Sequence, residues 1–240
     1  MLRSTGQKPG WGLVLLVAGF GTASPIQAQH ANAQNVGSPY PNMAPIAQYR
    51  MDRDAEIALA RTAAAASISR DADIMVLGEK NFELAVRGKN GFLCAVGRAF
   101  AGPLSNPEFW NPKNRSPICF NPAAARSLWP YAMKQTGMAL AGASKAQIID
   151  AIRTAVANNE LGVPEAGSMA YMMSKDAYLT DQGSHNLAHV MFELPRSDVF
   201  QDDPAFFVSW DPAPVIEFNV PVGQWSDGTS AHAPHKPSTR

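Results

Sequence analysis

Asp181, His185 and His189 follow one another at intervals of four residues. On a helix that spacing stacks a carboxylate and two imidazoles on one face, a plausible geometry for holding a metal ion. Gly183 interrupts such a helix, and Val190-Met191-Phe192-Glu193-Leu194 has the β-branched and aromatic character of a strand. In a strand with Val190, Phe192 and Leu194 turned to the core, His189 shares the opposite face with Met191 and Glu193. The two readings exclude one another at His189, and the glycine favours the strand. Met172 and Met173 on a neighbouring strand would then add thioethers suited to a soft ion such as copper. The candidate metal set is His189, His185, Asp181, Met172 and Met191. Against it stands a plainer reading, in which the methionines fill core gaps and His189 is a hydrogen-bonded histidine on a sheet face. No matched metal motif supports the spacing, so no cofactor is expected beyond a transition metal at this one set.

Hydrolytic chemistry finds less support. The chain has no G-x-S-x-G elbow, no H-E-x-x-H and no Walker loop. Ser184, His185 and Asp181 are the residue types of a triad, but neighbours in a loop seldom hold triad geometry. Asp181 and the Asp202-Asp203 pair could serve glycoside chemistry, although paired acids in a proline-rich loop usually form a solvated turn. His232 and His235 lie in a polar tail. Trp110, Trp210 and Trp225, read as exposed, suggest an aromatic wall for a polymer or peptide; beside prolines such rings also commonly fasten loops to a core. No catalytic residue is assigned.

Cys94 and Cys119 are the two cysteines of the chain, 119 − 94 = 25 positions apart. In an oxidising compartment an isolated even pair forms a disulfide, and no C-x-x-C spacing supports the redox or metal alternative. The compartment is read from the start of the chain. Arg3 and Lys8 precede a short apolar run from Trp11 to Phe20, and small residues follow, with cleavage sites after Ala28 or Ala33. Residues 1–28 are thus expected to be a signal peptide and the remainder periplasmic or secreted. No later run reaches the roughly 20 apolar residues of a membrane helix. Twenty basic residues balance twenty acidic ones, which argues against a nucleic-acid partner, since polyanion binding needs a basic patch. Other partners are not legible.

The elements that must position these residues read as follows. Residues 29–50 are a Pro/Asn/Ser-rich arm or linker. Acidic residues open a helix expected from Asp52 to Ala66. Ile74–Leu77, Phe82–Arg87 and Phe92–Val96 read as a three-stranded meander, with Asn90-Gly91 as the two-residue turn of its second hairpin. Five prolines make Pro103–Pro122 irregular. Asn121-Pro122 starts a helix that is broken or kinked at Pro130. Ser144 and Gln147 make a capping box for a helix ending near Asn159. Four short strands follow, and a tail from Ser226 is expected to be disordered. The pattern predicts one α+β domain over residues 51–225, its helices packed on a largely antiparallel sheet and its cysteines joined.

Several strings resemble a family of secreted bacterial proteins of unknown function. They are Asp54–Arg61, Gly91-Phe92-Leu93-Cys94, Phe109-Trp110-Asn111-Pro112, Pro117-Ile118-Cys119-Phe120-Asn121-Pro122, Tyr171-Met172-Met173-Ser174, His189-Val190-Met191-Phe192 and Trp225-Ser226-Asp227-Gly228. The resemblance spans nearly all of the chain after the leader and implies an exported domain, with no activity attached. Family members place proline before the histidine that matches His189, whereas this chain has Ala188. The expected function is a non-enzymatic binding or structural role; the alternative is a metal-dependent site centred on His189.

Overall fold

A computed structural model describes residues 38–181, 187–197 and 207–231. The leader, His185, Ser184, Asp202-Asp203, His232 and His235 lie outside the described residues. Eight strands form one sheet: β1 (Asp73–Leu77), β2 (Phe82–Val86), β3 (Leu93–Gly97), β4 (Ser116–Phe120), β5 (Met169–Met172), β6 (His189–Pro195), β7 (Phe207–Ser209) and β8 (Val215–Pro221). Their order is β2-β1-β3-β4-β5-β6-β8-β7. Every neighbouring pair is antiparallel except β1 and β3. The fold is α+β.

That parallel pair overturns the meander. β1 lies between β2 and β3, with Ile74 beside Cys94. Asn90-Gly91 therefore closes no hairpin. After β2 the chain passes across the start of β1 and returns on its far side. Gly88 N donates to Asp73 Oδ1 at 2.7 Å, and Lys89 N and Asn90 N both donate to Asp71 O. Asn90 is held by Nδ2 donating to Ile68 O, and Gly91 has a φ of 78°. The dipeptide marks a bend correctly; which strand lies beside β3 is settled by the contacts of Asn90 with Ile68 and Asp71, far back along the chain.

Helices cover both faces of the sheet. α1 (Arg53–Arg61) is capped by Asp52, which accepts from Asp54 N and Ala55 N. Ala60, Ala63 and Ala64, at and just beyond its end, pack with Ile74, Cys94, Val96 and Cys119. The expected helix to Ala66 stops early, since Ala63 O accepts from Met173 N; the four-residue α2 (Ala66–Ser69) follows. On the other face lie α3 (Pro122–Ser127), α4 (Trp129–Leu140) and α5 (Lys145–Ala157), packed with Ala95, Phe120, Ala170 and Met191. Asn121 caps α3 by accepting from Ala124 N. The break falls at Leu128, because Pro130 must sit in the first turn of a new helix. The Ser144/Gln147 capping box is formed. Among the described residues no helix is long and apolar enough to cross a membrane.

Cys94 and Cys119 stand directly opposite on β3 and β4 and are joined in a disulfide. The described part of the arm, from Ser38, is packed onto the core. Tyr49 is fully buried and donates through its hydroxyl to Trp110 O, while Tyr40 and Met43 pack on the core edge. The described part of the tail is ordered as well. Trp225 N donates to Thr229 O, Ser226 N donates to Met173 O, and Lys175 pairs with Asp227 at 2.6 Å. The domain thus extends beyond residues 51–225 at both ends.

Candidate binding site

The strand reading of His189 holds, since it is the first residue of β6. The facing of that strand is the reverse of the expectation. Met191 and Glu193 are buried, whereas Phe192 and Leu194 are 38% and 36% exposed. Register decides this: Met191 pairs with Ala170 of β5, which belongs to the core beneath α4 and α5. Apolar residues on both sides of β6 left its facing undetermined from the strand alone.

Of the metal set, Asp181, His189, Met172 and Met191 fall within the described residues. Asp181 accepts from the Tyr40 and Tyr178 hydroxyls and pairs with Lys113 Nζ at 2.9 Å. Tyr178, then Tyr40, then Lys113 hold its carboxyl well below the ordinary carboxylate range. Both of its oxygens are thus committed to protein donors. His189, Met172 and Met191 do share one sheet face, Met172 lying opposite His189. The His189 Nδ1 sits 2.6 Å from Leu187 O, and burial pushes the imidazole below its usual range. Among the described residues no three His, Cys, Asp or Glu side chains converge as a metal group. Two of the three tryptophans read as exposed are buried, Trp110 and Trp210 each at 6%. Trp110 sits edge-on to Phe109 within the core.

What that sheet face carries instead is a pair of carboxylates. Glu193 of β6 and Glu217 of β8 are directly opposed in the antiparallel register, 2% and 8% exposed. Side chains so opposed stand roughly 5 Å apart at Cβ. Glu217 accepts from Trp210 Nε1 at 3.2 Å and from Asn219 Nδ2 at 3.1 Å. Glu193 Oε2 has no hydrogen-bond partner among the described residues. Burial, and then the charge of Glu217, push Glu193 well above its ordinary value; burial raises Glu217 too, opposed by the Asn219 and Trp210 donors. Two like charges in so dry a place do not both persist. Of the two, Glu217 has the donors that favour a charged carboxylate and Glu193 has none on its Oε2 among the described residues, so a proton shared by the pair is better placed on Glu193.

Glu217 forms part of the wall of a cavity of about 220 Å³ between the sheet and α4. Ile118, Phe120, Met172 and Met191 line it from the sheet. Trp129 and Ala132 line it from α4, Trp210 from beyond β7, and residues 97–103 close one side. Those last residues are held by Arg98. Its Nη2 meets Glu56 Oε1 at 2.9 Å, Nε donates to Tyr49 O at 2.7 Å, and Nη1 donates to Val96 O. Burial lowers Arg98 to about 10, although Glu56 works against that fall. Asn114 also lines the cavity and ties its loop to the 178–181 segment by donating to Leu179 O. Glu108 holds the same segment from below, accepting from Thr180 Oγ1 and Asp181 N.

The arrangement can engage a cation or donor through Glu217, or pass a proton between the two carboxyls; the walls around it are mostly hydrocarbon and indole, with Asn106, Asn114 and Ser116 among them. Comparison with known protein families, curated proteins and solved structures finds no match to this chain. Sequence reading missed the pair, though both members sit in strands it identified. The signal that could have found it was a glutamate flanked by large apolar residues in each run, Phe192-Glu193-Leu194 and Ile216-Glu217-Phe218.

Proposed function

We propose that this chain is an exported, non-enzymatic binding domain whose ligand seat is the cavity beneath α4. The single observation behind the reading is the cavity itself: a largely apolar space of about 220 Å³ with the buried carboxyl of Glu217 in its wall. An apolar cavity of about 150 Å³ is large enough to take up benzene, so a single ring with a short substituent fits the space. Few polar groups among apolar walls are the usual make-up of a small-molecule site. Export to the periplasm or medium is supported by the leader-like start of the chain, by the resemblance to secreted proteins, and by the disulfide, a bond of oxidising compartments.

The test uses protein labelled with ¹³C at the methionine methyls and titrated with toluene. Met172 and Met191 line the cavity, and Met138, of the same core, is not among its lining residues. Saturable shifts at the first two and none at Met138 are expected. Absence of saturation, or shifts spread evenly over all methionines, would sink the reading.

A further inference from the structure

We propose that the cavity selects a small cationic amphiphile, an ammonium group on a compact apolar body, with Glu217 as its counter-ion. The inference rests on the cavity being a ligand seat and names the class of ligand. Among the described residues, two charged side chains line the space, Arg98 and Glu217. The Arg98 guanidinium is neutralised by Glu56, and all three of its nitrogens donate to Glu56 or to the Tyr49 and Val96 carbonyls. Glu217 has no such balance. Its donors, Trp210 and Asn219, are neutral, and the group directly across the sheet is another carboxyl with a buried oxygen lacking a partner. On that face of β5, β6 and β8 the other titratable group among the described residues is His189, engaged by Leu187 O, while Asp73 lies on the distant strand β1 and pairs with Arg87. A buried carboxyl with no protein cation against it among the described residues is complementary to a ligand that brings one and so favours its charged form.

The walls point the same way. Phe120, Trp129 and Trp210 bound the cavity, and aromatic faces attract ammonium groups while remaining apolar toward hydrocarbon. An anionic ligand would face Glu217 with like charge. A neutral hydrocarbon would leave the carboxylate as it is.

Calorimetric titration of the purified protein with benzylamine and with toluene separates the two readings. At pH 7.5 benzylamine is expected to bind roughly tenfold or more tightly than toluene, the worth of a charge-assisted hydrogen bond. Glu217→Gln should bring the ratio close to one. Should that variant fail to fold, the wild-type protein decides alone: benzylamine affinity should fall at pH 4.5, where Glu217 takes up a proton and the amine keeps its charge. Benzylamine binding no better than toluene, or an advantage that persists both in Glu217→Gln and at pH 4.5, overturns the cation inference and leaves the ligand seat standing. No saturable binding of either probe overturns both.

Discussion

Arg98 and Glu56 form an ion pair wholly inside the domain, their side chains 0% and 2% exposed. Glu56 sits on α1 and also accepts from Leu77 N, so one carboxylate joins the helix, the end of β1 and the loop beside the cavity. Removing one partner of a buried pair strands the other. Arg98→Met is expected to lower unfolding free energy by about 3–5 kcal/mol. Glu56→Gln, which keeps an acceptor for Leu77 N, should cost less. Urea denaturation followed by circular dichroism reads both, and an Arg98→Met protein as stable as wild type would refute the assignment.

The disulfide joins strands that already pair in register. Closing a separation of 25 residues is worth about 3.5 kcal/mol in the chain-entropy account. The Cys94→Ala/Cys119→Ala protein should lose stability of that order and keep its secondary structure. Thiol titration of denatured, unreduced wild type should find no free thiol.

Gly88 is required where the chain crosses β1. A Cβ there would lie 2.3 Å from Ala72 C and 2.4 Å from Asp71 O, backbone atoms that cannot rotate aside. Gly88→Ala is expected to cost about 1–3 kcal/mol or more through forced backbone shifts. Gly162, where an added Cβ would meet nothing within 4 Å, supplies the comparison: Gly162→Ala should lie within about 0.5 kcal/mol of wild type. Equal melting temperatures for the two variants would contradict the crossing.

The carboxylate pair makes stability depend on pH in an unusual direction. Glu193 and Glu217 are raised in the folded state above an ordinary value of 4.5. The unfolded chain releases their protons first, so their contribution is complete below about pH 4.5 and is lost as pH rises through the folded values. Asp181 and Asp227 are depressed, so theirs is present above 3.8 and lost in stronger acid. Melting temperature should therefore peak in mildly acidic solution and decline toward pH 8. Glu193→Gln should flatten that decline and melt above wild type at pH 8, each unit of raised pKa being worth about 1.4 kcal/mol. A variant with an unchanged slope would show that Glu193 is not the proton holder.

Local chemistry was legible along the chain. The Asp52, Asn121 and Ser144 caps, the extended runs and the cysteine pair each depend on a few adjacent residues or on compartment, and each is where its residues imply. Seven of the eight strands follow from that list of elements; the eighth, β4, lies inside the Pro103–Pro122 segment read as irregular, where Pro117 stands before the Cys119–Phe120 stretch that pairs with β5 and so interrupts none of that pairing. Three features depended on which segments meet. The place of β1 between β2 and β3 depends on contacts at Asp71–Asp73, far back along the chain from the Asn90-Gly91 signal. The facing of β6 depends on its register with Ala170, since a one-residue slip would exchange its two sides. The carboxylate pair exists because β6 and β8 align Glu193 with Glu217 across 24 positions of chain, 217 − 193. Sequence by itself determined the kinds of elements, their caps and the cysteine pairing, which are set by near neighbours. Tertiary structure decided strand order, the inward side of β6 and the charge in the cavity wall, because side-chain direction and desolvation arise only when distant strands are brought into register.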